Sequence, residues 1–267
     1  MSEYMFSGMD SYDTPANHPV ASGFKWMLRS RWYFYMRNFG IFVRTGKCAA
    51  RGELDKKNQI RFSSGNIRLV EDCGGTVHLR GLNHLRDLNG QPAVIIGNHM
   101  SLLETAALHA IIREHVDFSF VIKESLLKVP YLRDILISLN AIPVGRTNPR
   151  EDLKTVLTEG KKILESGRSM VVFPQSTRTR TFEPEQFNSI GVKLAKAAGV
   201  PVVPMALKTD ILECGKIIRD LGPVFPEREV RFEFGPAMEI EGNGQEQQKK
   251  IIEFIGNAFT SWENGKK

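Results

Sequence analysis

The stretch AVIIGNHMSLLETAALHA (residues 93–110) joins a short apolar run to a helical pattern. The run AVIIG (93–97) predicts a buried strand, and the apolar residues near 102–115 recur at helical spacing. His99 stands just after the strand, and Glu104 follows five positions later. The two residues are either a catalytic pair or a solvent-facing histidine followed by an acid of the first helical turn.

Similar strand and helix patterns alternate along the rest of the chain. Predicted strands are TVHLRGL (76–82), FSFVIK (118–123), AIPVG (141–145), SMVVFP (169–174), VPVVPMALKT (200–209) and EVRFEFG (229–235). Predicted helices cover 124–139, with an interruption at Pro130, and 148–167, 187–199 and 245–262; QIRFS and NIRLVE around Ser64 and Gly65 predict a hairpin. This alternation predicts an α/β fold with a single sheet, mixed but largely parallel in the centre and flanked by helices.

Composition narrows the range of partners. The net charge of +6 favours an anionic partner such as nucleic acid, anionic lipid, a phosphorylated substrate or an acidic carrier protein. Three widely separated cysteines predict neither a disulfide framework nor a zinc site, so no metal is expected. The chain has no G-x-S-x-G elbow, phosphate-binding Gly-Lys loop or H-E-x-x-H helix. No apolar run is long enough to predict a membrane span.

The N-terminal part differs in character from the rest. Residues 1–20 predict a disordered or loosely attached tail, and residues 21–52 an amphipathic helical segment. The stretch 24–51 has seven cations, eight aromatic residues and no acid, a mixture that favours the head-group level of a membrane. Two short helices broken near residues 38–40 are expected to lie in that interface. Packing against the remaining domain (55–267) and binding of single-stranded nucleic acid are the alternatives.

Polar clusters follow three of the predicted strands. In a regular helix, positions five apart lie about 140° from each other, so His99 can meet Glu104 only if the histidine precedes the helix. A carboxylate that holds one imidazole nitrogen makes the other a better base. The second and third clusters carry arginines, whose planar forks suit phosphate oxygens. Their members are Arg146 and Arg150, then Gln175, Ser176, Thr177, Arg178 and Arg180.

Four blocks in this order resemble the glycerolipid (lysophosphatidate-type) acyltransferase family. The family carries N-H-x-x-x-x-D, a G-x…R block after a strand, F-P-E-G-T-R and a V-P-[IV]-[VI]-P strand. The corresponding stretches here are NHMSLLE (98–104), NAIPVGR (140–146), FPQSTR (173–178) and VPVVP (200–204). The resemblance covers roughly residues 90–210 and implies that 55–267 is an acyltransferase domain.

The resemblance implies a reaction and roles for the site residues. His99 would be the general base on an acceptor hydroxyl, and Glu104 would orient its imidazole. Arg146 and Arg178, with Gln175, Ser176 and Thr177, would bind the acceptor, most simply 1-acylglycerol 3-phosphate. The donor would be an acyl-CoA or acyl carrier protein thioester, used as co-substrate with no cofactor. The enzyme would act on the cytoplasmic face of a membrane containing anionic lipid, as a peripheral or monotopic protein that binds no nucleic acid.

Three positions depart from the family pattern. Glu104 replaces Asp, Gln175 replaces Glu, and Ser176 replaces Gly. None removes the proposed base, but each bears on the acceptor. The departures leave two alternatives open: the same transfer to another lysolipid, an acyl-amino-acid lipid precursor or a saccharolipid, or a non-catalytic membrane- or lipid-binding relative.

Overall fold

One eight-stranded sheet organises the molecule. A computed structural model describes residues 4–175, 177–215, 218 and 220–264. Its strands are β1 (Tyr12–Asp13), β2 (Val77–Arg80), β3 (Val94–Gly97), β4 (Phe118–Lys123), β5 (Ile142–Val144), β6 (Ser169–Val172), β7 (Val202–Lys208) and β8 (Val230–Phe234). They lie in the order β1-β2-β8-β7-β3-β6-β4-β5.

Helices cover both faces of this sheet. They are α1 (Ser22–Trp26), α2 (Arg31–Ala50), α3 (Lys56–Asp72), α4 (Leu82–Arg86), α5 (Leu103–Ile111), α6 (Leu132–Ser138), α7 (Pro149–Glu165), α8 (Ile190–Ala198) and α9 (Gln245–Asn264). Short 3-10 turns span Glu124–Lys128 and Pro184–Gln186. Among the described residues, no helix combines the length and the apolar character that crossing a membrane would require.

The strands from β7 to β5 in this order form a parallel unit. β3 pairs in parallel with β7 on one side and β6 on the other, while β4 joins β6 and β5. β8 runs antiparallel to β7, and β2 runs parallel to β8. The predicted α/β fold with one mixed, centrally parallel sheet is confirmed, and the carboxyl ends of the five parallel strands share one edge.

β3 shows why its sequence is a continuous apolar run. Val94, Ile95 and Ile96 are all fully buried. Side chains alternate along a strand, so Ile95 faces the core beneath α2, α3 and α5, while Val94 and Ile96 face the core beneath α7, α8 and α9. A central strand with helices on both faces needs apolar side chains at every position.

The predicted hairpin around Gly65 is wrong, because residues 56–72 form the helix α3. Asp55 caps its start by accepting a hydrogen bond from Asn58 N at 2.8 Å. The buried residues Ile60, Ile67 and Val70 recur at helical spacing, which the short β-like runs on either side of the glycine concealed. Tertiary packing decides between the two patterns here.

The start of the chain also differs from the predicted disordered tail. Within the described part of residues 1–20, Phe6 is fully buried in the core and Tyr12–Asp13 forms the edge strand β1. The hydroxyls of Tyr12 and Thr14 donate to Glu71 Oε1 at 2.6 and 2.7 Å. One buried ring and one carboxylate on α3 therefore fix a stretch whose composition alone is polar.

The basic-aromatic segment is helical, but its break lies elsewhere. α2 continues through residues 38–40, where a break was expected. The break comes instead at residues 27–30, where Leu28 and Arg29 have positive φ and Ser30 caps α2 through Trp32 N. The interruption expected at Pro130 is confirmed, since it separates a 3-10 turn from α6.

His109 is an unusual member of the core beneath α5. Its ring stacks on Phe118 at 4.6 Å between centroids, and neither ring nitrogen has a hydrogen-bond partner among the described residues. Burial, together with the positive charges of Arg113 and Arg168, lowers the pKa of His109 to about 3. Between about pH 3 and pH 6.5, the folded protein therefore holds a neutral imidazole where the unfolded chain would hold a charged one.

Replacing this histidine should flatten the acid dependence of stability. Because the folded pKa lies below the unfolded value of 6.5, stability is complete above pH 6.5 and falls as pH drops toward 3. As pH falls from 7 to 5, His109 lowers the free energy of unfolding by on the order of 2 kcal/mol. We expect His109→Leu to remove that part of the slope in urea unfolding, and His84→Ala, on α4, to retain it. Equal slopes for His109→Leu and the unmodified protein would contradict this assignment.

Candidate active site

His99 lies in the turn between β3 and α5, not on the helix. α5 begins at Leu103, so the imidazole and Glu104 can face each other despite their five-residue separation. His99 Nδ1 and Glu104 Oε2 form a short hydrogen bond. The His99 side chain is 20% exposed and that of Glu104 is fully buried. The pair is therefore formed, with its acid inside and its base at the surface.

The carboxylate of Glu104 is held on its other oxygen as well. Oε1 accepts hydrogen bonds from Met100 N and Ser101 N, each at 2.8 Å, and from the hydroxyl of Thr209. Burial of a charged group without such donors would be costly. Because Oε1 is occupied in this way, Oε2 is left to accept from His99.

This arrangement fixes the state of the imidazole. With Nδ1–H donating to the carboxylate, the neutral ring carries its lone pair on Nε2. The ring stacks on Phe173 at 4.6 Å and 18°, which restricts its rotation. His99 therefore presents one basic nitrogen in a fixed direction, as a general base requires.

Asn98 sets the path of the turn. Its side-chain amide donates to Leu207 O and accepts from Leu207 N, both at 2.8 Å. The amide thereby extends the pairing of β3 with β7 by one step beyond the last strand residue. Since Asn98 is almost fully buried, the next residue emerges at a defined point on the sheet edge.

Gln175 and Thr179 hold the main chain of His99 from the loop after β6. His99 N donates to Gln175 Oε1 at 2.8 Å, and Thr179 N donates to His99 O at 3.0 Å. Gln175 Nε2 donates to Thr179 Oγ1 at 2.8 Å, which joins the two contacts. Gln175 is only 3% exposed, so its amide is directed at the protein's own backbone.

The arginines are distributed along the same edge. Arg178 belongs to the loop that contacts His99 and donates from Nη2 to Asp220 at 2.7 Å. Arg146 is exposed, with φ at 60°, after β5. β5 is three strands from β3, which corresponds to about 14 Å.

The remaining predicted positions are less informative. Thr177 is exposed in the loop that carries Arg178, and Ser176 lies outside the described residues. Arg150 is exposed at the start of α7, and Arg180 pairs with Glu213 at 2.6 Å. The structure thus brings His99, Glu104 and Gln175 into direct contact, with Arg178 on the adjoining loop.

Sequence reasoning missed Ser101 and Thr209. Ser101 Oγ accepts from Leu103 N at 3.1 Å and donates to Thr209 Oγ1 at 2.9 Å, so it links the helix start to the end of β7. A usable signal existed: Thr209 is the last residue of a predicted strand and directly follows the observed β7, so it lies at the same sheet edge as His99. The described part of the chain contains no cluster of potential metal ligands.

Comparison with known proteins agrees with this geometry. A family model described as Acyltransferase matches residues 76–208, a range that contains the histidine turn and the arginine loop. A 1-acyl-sn-glycerol-3-phosphate acyltransferase from Pseudomonas aeruginosa is 30% identical over 195 residues, which cover 73% of this chain and 71% of that enzyme. One from Borreliella burgdorferi is 29% identical over 114 residues, covering 43% and 44%.

A solved structure has the same fold. The 1-acyl-sn-glycerophosphate (LPA) acyltransferase PlsC from Thermotoga maritima superposes with a TM-score of 0.68 at 18% identity, covering 87% of this chain and 94% of that one. Fold and relatives together define an enzyme that transfers acyl groups to oxygen. More particularly, the chain belongs to the glycerolipid acyltransferase family, among the relatives of 1-acylglycerol-3-phosphate acyltransferases.

The contacts of Gln175 predict how its replacement affects turnover. Gln175→Leu leaves the His99 N–H without its acceptor, and loss of one such bond typically costs 1 kcal/mol or more, so we expect acyl transfer to slow about tenfold. Gln175→Glu keeps an oxygen opposite that N–H and should remain within about threefold of the unmodified rate. Free thiol release measures both variants. An undiminished rate in Gln175→Leu would mean that the turn holds its shape without the amide.

Proposed function

We propose that the enzyme moves a fatty acyl chain from a thioester to the free hydroxyl of 1-acylglycerol 3-phosphate, giving phosphatidate. The observation that carries the proposal is the fixed His99–Glu104 pair with Arg178 on the adjoining loop. A base beside a cation suits an acceptor that has both a hydroxyl and a phosphate. The relatives named 1-acyl-sn-glycerol-3-phosphate acyltransferase support this choice of acceptor.

The reaction needs one proton relay. His99 Nε2 takes the proton of the acceptor hydroxyl while the oxygen of that hydroxyl attacks the thioester carbonyl. The tetrahedral intermediate then collapses, the carbon–sulfur bond breaks, and the thiolate takes the proton from the imidazolium. Glu104 stabilises that imidazolium through Nδ1. Because the acceptor oxygen attacks the thioester directly, no acyl-enzyme is needed.

The cations at the sheet edge would bind the negative groups of the substrates. Arg178 directly precedes Thr179, which contacts His99, and would hold the acceptor phosphate, with Thr177 beside it. Arg146, about 14 Å away by strand spacing, would contact the phosphate only if the acceptor extends toward β5. The donor would be acyl-CoA or acyl carrier protein, either of which is anionic and suits a chain of net charge +6.

Ser176 favours a second candidate, the same transfer to a different lysolipid. It replaces the family's glycine directly before Thr177 and Arg178. The other two departures support lysophosphatidate instead, because Glu104 and Gln175 make their polar contacts with the histidine turn and its neighbours. A panel of lysolipids offered with one labelled donor separates the two candidates.

His99→Ala tests the base. A general base commonly contributes between a hundred- and ten-thousandfold, so we expect phosphatidate formation from palmitoyl-CoA or palmitoyl carrier protein to fall by at least a hundredfold. His84→Ala is the matched control, because α4 follows β2, whose carboxyl end lies at the opposite edge of the sheet. Undiminished activity in His99→Ala would refute the assignment of the base.

We infer that the enzyme attaches peripherally to the cytoplasmic face of a membrane, and the exposed residues of the segment α1–α2 support the attachment. Trp32, Met36 and Phe39 lie on one face of α2 and are more than half exposed, and Trp26 and Leu28 are 84% and 90% exposed. All seven cations of the segment are exposed, and of these only Arg51 has a carboxylate partner within the described structure. An apolar stripe bordered by unpaired cations suits anionic head groups.

A double replacement tests this attachment. Burial of a leucine contributes about 1.5–3 kcal/mol, so Trp26→Ser with Leu28→Ser should weaken binding to vesicles of anionic lipid by at least tenfold. Met9→Ser, at an exposed apolar residue outside the segment, should bind like the unmodified protein. Co-sedimentation measures both, and equal binding of all three proteins would rule out this surface.

A further inference from the structure

Both arginines of the loop after β6 are paired with acids from a single connection. Arg178 donates to Asp220 at 2.7 Å, and Arg180 pairs with Glu213 at 2.6 Å. We refer to the described residues of 210–224, between β7 and β8, as the acidic segment. Arg228, which follows this segment, also donates to Glu213 at 2.6 Å. The loop that adjoins the base is thus held by carboxylates that the family motifs do not include.

The acidic segment is closed at its base by backbone contacts. Leu212 and Val224 form an antiparallel bridge, and Glu213 N donates to Pro223 O at 3.2 Å. At Gly222 the two sides of the segment come closest: a Cβ there would lie 1.9 Å from Glu213 O. Only glycine fits this crossing, so the carboxylates are carried on a defined frame.

The same segment is attached to α2. The Tyr35 hydroxyl donates to Gly222 O at 2.9 Å, and Tyr35 packs edge-on against the fully buried Phe34. Gly222 stands two residues after Asp220. A chain of direct contacts therefore runs from the basic-aromatic helix through Gly222 and Asp220 to Arg178.

We propose that Asp220 is a positioning residue for Arg178 and that Tyr35 anchors the turn that carries it. The proposal rests on the proposed function, in which Arg178 binds the acceptor phosphate. Asp220 uses one nitrogen of a guanidinium that has five N–H donors. Arg178 has no second partner within the described part of the chain, so its remaining donors are available to phosphate oxygens. Because Asp220 already holds the long Arg178 side chain, less conformational entropy is lost when the phosphate binds.

An acid beside a phosphate site has a second effect, which an isosteric replacement separates. A carboxylate also repels the phosphate. If Asp220 only competed with the phosphate for Arg178, it would weaken acceptor binding. Asp220→Asn keeps the oxygen that accepts from Arg178 and removes the charge, while Asp220→Ala removes both. Asp220 is 57% exposed on its side chain, so neither change disturbs a core.

Acceptor kinetics distinguish the two effects. We expect Asp220→Ala to raise KM for lysophosphatidate in mixed micelles about tenfold, with kcat and the KM for palmitoyl-CoA unchanged. Asp220→Asn should stay within about twofold of the unmodified protein. An unchanged or lowered acceptor KM in Asp220→Ala would overturn the proposal. Absence of phosphatidate from the unmodified protein would instead overturn the proposed function, and this inference with it.

The role of Tyr35 is tested by the same measurement, the KM for lysophosphatidate. Tyr35→Phe removes only the hydroxyl and should raise the acceptor KM about threefold, whereas Tyr33→Phe, two positions earlier on α2, should leave it unchanged. Combined with Asp220→Ala, Tyr35→Phe should add nothing further, because both changes interrupt one chain of contacts. Independent, multiplying effects of the two changes would show that Tyr35 does not act through Asp220.

Discussion

Burial of the Glu104 carboxylate is the constraint on which the active site depends. A fully buried acid must find donors, and here they come from the turn after β3, from the end of β7 and from His99. The hydrogen bonds to this one carboxylate therefore fix the relative positions of the end of β3, the start of α5 and the end of β7. The His99 imidazole is oriented by the same contacts, since Oε2 is the oxygen that the other donors leave open.

The departures from the family pattern take on a different meaning in this setting. Glu in place of Asp lengthens the arm, yet the carboxylate still accepts from main-chain amides at the helix start. Gln175 keeps the oxygen that receives His99 N–H and uses its NH2 group on Thr179. Both changes are accommodated within the protein's own hydrogen bonds, so the sequence can differ at these positions while the His99 imidazole stays in place.

The sequence predicted the sheet and the contact between His99 and Glu104, but not the other contacts that hold them in place. Strands such as β3 can be predicted from the sequence alone, because a strand that is buried on both faces is an uninterrupted apolar run. The sequence around Gly65 imitates a hairpin because apolar and polar residues alternate on either side of the glycine, whereas packing against α2 favours the helix α3. The partners Thr209 and Asp220 are remote in sequence from the residues that they hold; the end of a predicted strand marks Thr209, but no local pattern marks Asp220.

The position of the N-terminal helix follows from the same kind of remote contact. α2 presents an exposed apolar stripe on one side, while Tyr35 reaches Gly222 on the other. Gly222 approaches the backbone at Glu213 so closely that a shift of the turn would displace both Glu213 and Asp220. A membrane that orders α2 would therefore also order the carboxylates beside the arginine loop. If α2 attaches to a membrane and Arg178 binds the acceptor as proposed, the Tyr35 hydrogen bond to Gly222 and the ion pair of Asp220 with Arg178 connect the two contacts.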